Sequence, residues 1–290
     1  MRLLLRLQAV VSTLLAVLVF GAMGVGAAFP GDEIAFYTRN DCCSSIYRLD
    51  LRTRIQQILR FESHDASAPS WSPDGTQIAF LARDRSRLDT SLKLCIAEPE
   101  GTNLRCTGQI TYRNDTPAWS PDGTSISYAA ADGVLMLNVN GLDQPPAAVR
   151  PGGSRTYANI AWSPDGSTIA YIGAHDEAPS IYVLDLEANE SRWLATGLNP
   201  VWSPDGTQLA YHTTFDEQLM TISASGGTPV EVADGFDADW SPDGEWLVFA
   251  RGGRRAAAQT NLIMRHLDSG REVTLVSNGL PNFAPRWRPR

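Results

Sequence analysis

The chain has 290 residues, 43% apolar and 19% charged, ordinary proportions for one globular repeat domain. Its formal net charge of −8 excludes general nucleic-acid binding, which needs a basic face. The absence of Gly-x-Ser-x-Gly, Ser-x-x-Lys and His-Glu-x-x-His patterns leaves the common hydrolase motifs unmatched.

Arg2 and Arg6 precede an apolar run from Ala9 to Phe20, and small residues follow from Gly21 to Ala28. Residues 1–28 therefore read as a secretory signal peptide cleaved after Ala28. The alternative is an N-terminal membrane anchor, because the apolar stretch can be extended to about 20 residues, enough to span a bilayer. Either reading exports residues 29–290 to a periplasmic, extracytoplasmic or secreted location.

Beyond Ala28 the pattern starts in the middle of a repeat. Pro30-Gly31-Asp32-Glu33-Ile34-Ala35-Phe36 parallels Pro73-Asp74-Gly75-Thr76-Gln77-Ile78-Ala79-Phe80. Ile46–Leu49 and Ile55–Leu59 then read as third and fourth strands. The full motif Trp-Ser-Pro-Asp-Gly follows at Trp71–Gly75, Trp119–Gly123, Trp162–Gly166, Trp202–Gly206 and Trp240–Gly244. A reduced copy, Trp287-Arg288-Pro289-Arg290, ends the chain. The tryptophans are 48, 43, 40, 38 and 47 residues apart, a period that signals stacked units unable to bury their apolar faces alone.

The motif has a local physical reading. Pro presets φ for the second turn position, Asp bonds nearby backbone, and Gly tolerates positive φ. Behind each turn lies a strand with large residues at alternate positions, such as Ile126-Ser127-Tyr128 and Ile169-Ala170-Tyr171. Ala284-Pro285-Arg286-Trp287 matches Ala68-Pro69-Ser70-Trp71, but no further strands follow it. This leftover first strand supplies what the opening unit lacks. The expected fold is all-β: a closed six-bladed β-propeller of four-stranded blades, residues 29–290, with the C-terminal strand completing the first blade.

The repeat W-S-P-D-G-x-x-I-A-F/Y, followed by I-Y-V-x-D, resembles the propeller repeat of the TolB family and related WD-like propellers. The resemblance covers residues 30–290 and is specific for the fold. It implies an exported, non-enzymatic protein that binds a partner in the bacterial cell envelope. It extends to the propeller part of that family only, and the family's binding residues lie outside the motif, so none is carried over.

The motif residues Trp71, Trp119, Trp162, Trp202, Trp240 and Trp287, with Asp74, Asp122, Asp165, Asp205 and Asp243, are expected to be structural. His64, His175, His212 and His266 have no metal-ligand spacing, and no metal or cofactor is expected. Asp234, Asp237 and Asp239 lack a calcium-loop spacing and read as a solvated acidic loop. Asp239 precedes Trp240 as Arg286 precedes Trp287, which suggests an Asp239–Arg286 ion pair across the closure.

Cys95 and Cys106 flank a turn at Pro99–Thr102 symmetrically and are expected to form a cross-strand disulfide. Cys42 and Cys43 could pair with each other, pair with another chain, or stay free. The partner-binding surface is expected on the loops joining second to third strands. There Arg83, Arg85, Arg87, Arg251, Arg254 and Arg255 form one arc, and Asp176, Glu177, Asp216 and Glu217 the opposite one. Such a divided rim would steer an oppositely divided protein or envelope component. The competing class is an enzyme or small-ligand binder working at the channel mouth.

Overall fold

The structure is a computed structural model. It describes residues 33–39, 43–59, 61, 64–84, 92–108, 116–130, 133–149, 158–175, 178–253 and 259–289. None of the described residues is helical, and no helix among them is long and apolar enough to cross a membrane. Residues 1–28, with the export signal read from the sequence, lie outside the described residues.

Twenty-four strands form six four-stranded antiparallel sheets. Blade one holds β1 (Glu33–Arg39), β2 (Ser44–Asp50) and β3 (Gln56–Leu59). Blade two holds β4 (His64–Trp71), β5 (Ile78–Asp84), β6 (Lys93–Ala97) and β7 (Arg105–Cys106). Blade three holds β8 (Ala118–Trp119), β9 (Ser125–Ala130), β10 (Gly133–Asn138) and β11 (Ala147–Val149). Blade four holds β12 (Ala158–Trp162), β13 (Thr168–His175), β14 (Ala178–Asp185) and β15 (Glu190–Thr196). Blade five holds β16 (Leu198–Trp202), β17 (Gln208–His212), β18 (Gln218–Ser223) and β19 (Val230–Asp234). Blade six holds β20 (Phe236–Trp240), β21 (Trp246–Gly252), β22 (Thr260–His266) and β23 (Glu272–Val276).

The last strand, β24 (Asn282–Trp287), crosses back to blade one, where it pairs antiparallel with β1 from Ile34↔Trp287 to Thr38↔Asn282. The chain thus enters at a second strand and leaves at a first strand, as the repeat phase implies. Closure completes blade one and leaves the inner strand edges protected around the channel.

The repeated motif builds the same turn five times. In blade two, Gly75 N–H donates to the Ser72 carbonyl at 2.8 Å, and Gly75 sits at φ 66°. This is a type I turn with Pro second, Asp third and Gly fourth. Ser72 Oγ donates to Asp74 Oδ1 at 2.6 Å and accepts from Gln77 N–H at 2.9 Å, while Asp74 Oδ1 accepts from Thr76 N–H at 3.0 Å. Equivalent Ser-to-Asp bonds of 2.5–2.6 Å recur at Asp122, Asp165, Asp205 and Asp243. The motif carboxylates are therefore spent on their own turns. Those hydrogen bonds, led by the Ser hydroxyl, hold Asp74, Asp122, Asp165 and Asp205 below the usual carboxylate range.

The turns also interlock around the ring. A Cβ on Gly123, Gly166, Gly206 or Gly244 would lie 3.6–3.9 Å from the motif proline of the preceding blade. At Gly75 it would meet the Pro289 carbonyl at 3.1 Å, so the reduced C-terminal copy takes the same place.

The tryptophans sit between blades. Trp71, Trp119, Trp202 and Trp240 donate Nε1–H to the carbonyls of Arg286, Ser70, Ala161 and Val201, each the residue before the preceding blade's tryptophan, at 3.1–3.2 Å. Trp162 donates to Ser127 Oγ at 3.1 Å instead. Trp287, only 4% exposed, leaves its Nε1–H without a partner.

Cys95 and Cys106 face each other across β6 and β7 and form the expected disulfide, with Cα atoms 4.0 Å apart. Cys43 is also disulfide-bonded, while Cys42 lies outside the described residues.

Candidate functional site

Each inner strand ends on a tryptophan and then turns. Chain direction therefore gathers all the motif turns on one face of the disc. The loops joining second to third strands share the other face with the inter-blade connections. This second face is the rim where charged residues were expected.

The described rim residues are largely engaged. Arg83 Nη2 lies 3.0 Å from Oδ2 of the buried Asp65. Arg251 grips Glu272 through both amino groups at 2.7 and 2.8 Å and donates Nε–H to the Asp234 carbonyl. This fork, aided by Arg265, holds Glu272 below the usual carboxylate range and raises Arg251. Asp216 is exposed and Glu217 half-buried in the loop between β17 and β18. Arg85, Arg87, Arg254, Arg255, Asp176 and Glu177 lie outside the described residues.

One feature of that loop is not electrostatic. Phe215 is 91% exposed at its tip. The loop beneath it is fixed: Thr213 N–H donates to the Gln218 carbonyl at 2.9 Å, and Gly235 N–H to the Glu217 carbonyl at 2.7 Å. The aromatic ring is thus held out in water on a pinned hairpin.

The channel is the second candidate. Five inner-strand residues three places before a tryptophan have left-handed backbone: Ala68, Asn159, Asn199, Asp237 and Ala284, with φ of 44–53°. Each accompanies a break in register between the inner strand and its neighbour, a β-bulge. Asn and Asp tolerate this conformation better than Ala. At three of these positions the side chains also link blades: Asn159 Nδ2 donates to Asn199 Oδ1, and Asn199 Nδ2 to Asp237 Oδ1. An Asx residue three before Trp162, Trp202 and Trp240 was the legible signal for this ladder.

The motif-turn side of the channel opens as a cavity of about 610 Å³. The motif tryptophans and prolines ring it, with Asn159, Asn199, Asp239 and Arg286 inside. The acidic run does not form the expected solvated loop. Asp234 is exposed, Asp237 accepts from Asn199, and Asp239 lines the channel from β20. Nor does Asp239 form the expected ion pair. Its Oδ2 accepts the Trp287 backbone N–H at 2.7 Å, and Arg286 Nη1 donates to the Pro285 carbonyl at 2.9 Å. The two charges sense each other through space without contact.

Asp239 has some accessible surface, but the channel wall encloses it. That enclosure, only partly offset by Arg286 and by backbone donors, pushes its carboxyl up to about 6 from the ordinary 3.8. A group that binds protons more readily folded than unfolded adds relative stability as pH falls through this range, and its ionised form is a cost above it. Asp239→Asn keeps an acceptor for Trp287 N–H and removes the charge. It should raise stability at pH 8 by at most about 3 kcal/mol, less where channel water screens the charge, and change nothing near pH 4. Denaturant unfolding at both pH values measures this. A variant weaker at pH 8 would show that the charge helps hold the seam.

The two histidines whose side chains are described have separate surroundings. His212 is buried beside the Phe236 ring, and His266 lies edge-on to Trp246. No cluster of His, Cys, Asp or Glu among the described residues is placed to hold a metal ion.

Residues 76–290 match the family model for the TolB beta propeller domain. The chain belongs to the TolB β-propeller family. None of the curated proteins matches its sequence. Among solved structures, TolB from Acinetobacter baumannii is similar with a TM-score of 0.74 at 18% identity, covering 90% of this chain and 68% of that one. A TolB structure from Agrobacterium tumefaciens gives 0.65 at 19% identity, covering 91% of this chain and 100% of that one. An oligogalacturonate lyase from Vibrio parahaemolyticus gives 0.53 at 14% identity, covering 74% and 70%. These likenesses concern the fold, and this TolB-type propeller carries its own side chains in the channel and on the rim.

Proposed function

We propose that this chain is an exported, non-enzymatic propeller that binds a partner protein or another cell-envelope component through its rim face. Phe215 is the observation that carries the reading. Holding a large ring 91% exposed on a pinned hairpin is unfavourable in water, and docking of a partner relieves it. Asp216 beside it, together with the charged loops Arg83–Arg87, Arg251–Arg255 and Asp176–Glu177, would orient that partner. Export is supported by the N-terminal residues 1–28 and by the Cys95–Cys106 disulfide, which suits an oxidising compartment.

The test is capture by the tagged mature protein from envelope extract, with Phe215→Ala/Asp216→Asn alongside. The double variant should lose the captured partner while melting like the parent, since neither side chain is buried. Capture of the same proteins in the same amounts would remove the rim reading.

A second reading, an enzyme at the channel mouth, is favoured by Asp239, whose carboxyl titrates at about 6 near Arg286. The lyase likeness points to uronate oligosaccharides as the first substrates to try. Turnover that disappears in Asp239→Asn would support it, and no turnover by the parent protein would end it.

A further inference from the structure

We propose that the channel cavity on the motif-turn side is a binding site for a small zwitterion carrying an ammonium and a carboxylate, of the free amino-acid type. The site lies on the opposite face from the rim and does not depend on the partner-binding reading.

Among the described residues, the charged ones lining the cavity are Asp239, Asp243 and Arg286. Asp243 is already committed to its turn, accepting from Ser241 Oγ at 2.6 Å and from Glu245 N–H at 3.0 Å. That leaves one carboxylate and one guanidinium. Both stand immediately before a tryptophan, on the neighbouring inner strands β20 and β24, so they share one level of the channel. Yet they make no ion pair. Each is tethered to backbone instead, Asp239 to Trp287 N–H across the seam and Arg286 to the adjacent Pro285 carbonyl. Asp239 holds one oxygen in that bond, and Arg286 keeps further donors, since a guanidinium has five N–H groups.

Two opposite charges held apart in a cavity at the channel mouth select their ligand by exclusion. A lone cation attracted to Asp239 is repelled by Arg286, and a lone anion suffers the reverse. A ligand with both groups answers both, as ammonium on Asp239 and carboxylate on Arg286. Beside the uncharged Ser70, Thr116, Asn159 and Asn199, the wall carries an apolar part formed by the motif tryptophans and prolines with Ile160, Ala161 and Val201, which suits a short aliphatic side chain. The volume of about 610 Å³ is within the range of small-molecule sites.

Three probes sharing a branched aliphatic skeleton test this by titration calorimetry at pH 7.5: L-leucine, 4-methylpentanoate without the amine, and 3-methylbutylamine without the carboxylate. L-Leucine should bind at least about tenfold more tightly than either. Asp239→Asn should abolish the preference over 4-methylpentanoate, and Arg286→Gln the preference over 3-methylbutylamine. Equal binding of all three probes, tightest binding by the amine, or no leucine binding at millimolar concentration would overturn the proposal, and these comparisons need only the parent protein. Variants that fold normally and bind leucine as the parent does would overturn it too. Capture through Phe215 should persist in saturating leucine, so the two sites fail or stand separately.

Discussion

Removing residues 282–290 is expected to abolish cooperative folding. β24 alone closes the ring, and it buries Asn282, Phe283, Ala284 and Trp287 against Ile34, Phe36, Phe236 and Leu262. Asn282 is fully buried and joins three elements. Its Nδ2 donates to the Thr260 carbonyl at 2.8 Å, its Oδ1 accepts from Thr38 Oγ1 at 2.8 Å, and its amide N–H donates to Thr260 Oγ1. Beyond the strand, Arg288 pairs with Glu33 at 2.6 Å, bonds the Gly75 carbonyl, and stacks 5.0 Å over the Trp71 ring. Loss of two buried aromatic side chains costs about 3–5 kcal/mol each, which approaches the total stability of a typical domain of roughly 5–15 kcal/mol. Deletion also bares β1 as a new edge, an invitation to aggregate. Circular dichroism should show no cooperative melt near the parent's. A truncated chain that melts within a few degrees of the parent would mean that the seam is not what holds the ring.

The second large effect concerns the wedge residues between blades. Trp119 is 8% exposed among Ala79, Leu94, Ile96, Ile126 and Leu137, so Trp119→Ala should cost about 3–5 kcal/mol. For a chain of this size that lowers the melting temperature by very roughly 6–20 °C. Asp122→Ala removes bonds within one exposed turn and should cost far less. Two subtler exchanges separate packing from hydrogen bonding. Trp119→Phe forfeits the 3.1 Å bond to the Ser70 carbonyl and should lose about 1 kcal/mol for the bond beyond any loss of packing. Trp287→Phe forfeits no bond, since that indole N–H has no acceptor, and should lose less. Denaturant midpoints for the four variants decide the matter. Equal losses for both Phe exchanges would show that the inter-blade hydrogen bond contributes nothing.

The architecture was legible because its causes are local and repeated. Pro and Gly restrict their own φ, Ser and Asp bond backbone within five residues, and alternation marks each strand without reference to the rest of the chain. Six tryptophans with a broken first unit and an unfinished last one then leave one way to close a ring. Cys95 and Cys106 were equally readable, because a short hairpin fixes which residues face each other.

The channel and the rim were decided only by the closed ring. Asp239 and Arg286 are 47 residues apart, and nothing in the repeat says whether their side chains touch, bond backbone, or face a cavity. The ring set them at one level without contact and gave the Asp239 carboxylate to Trp287 N–H. Arg83 and Arg251 read as free rim charges, yet Asp65 and Glu272 stood within reach once the strands paired. The period of the sequence encodes which strand a residue joins and which face it takes. It does not encode the angle between blades, and that angle sets every distance across the channel.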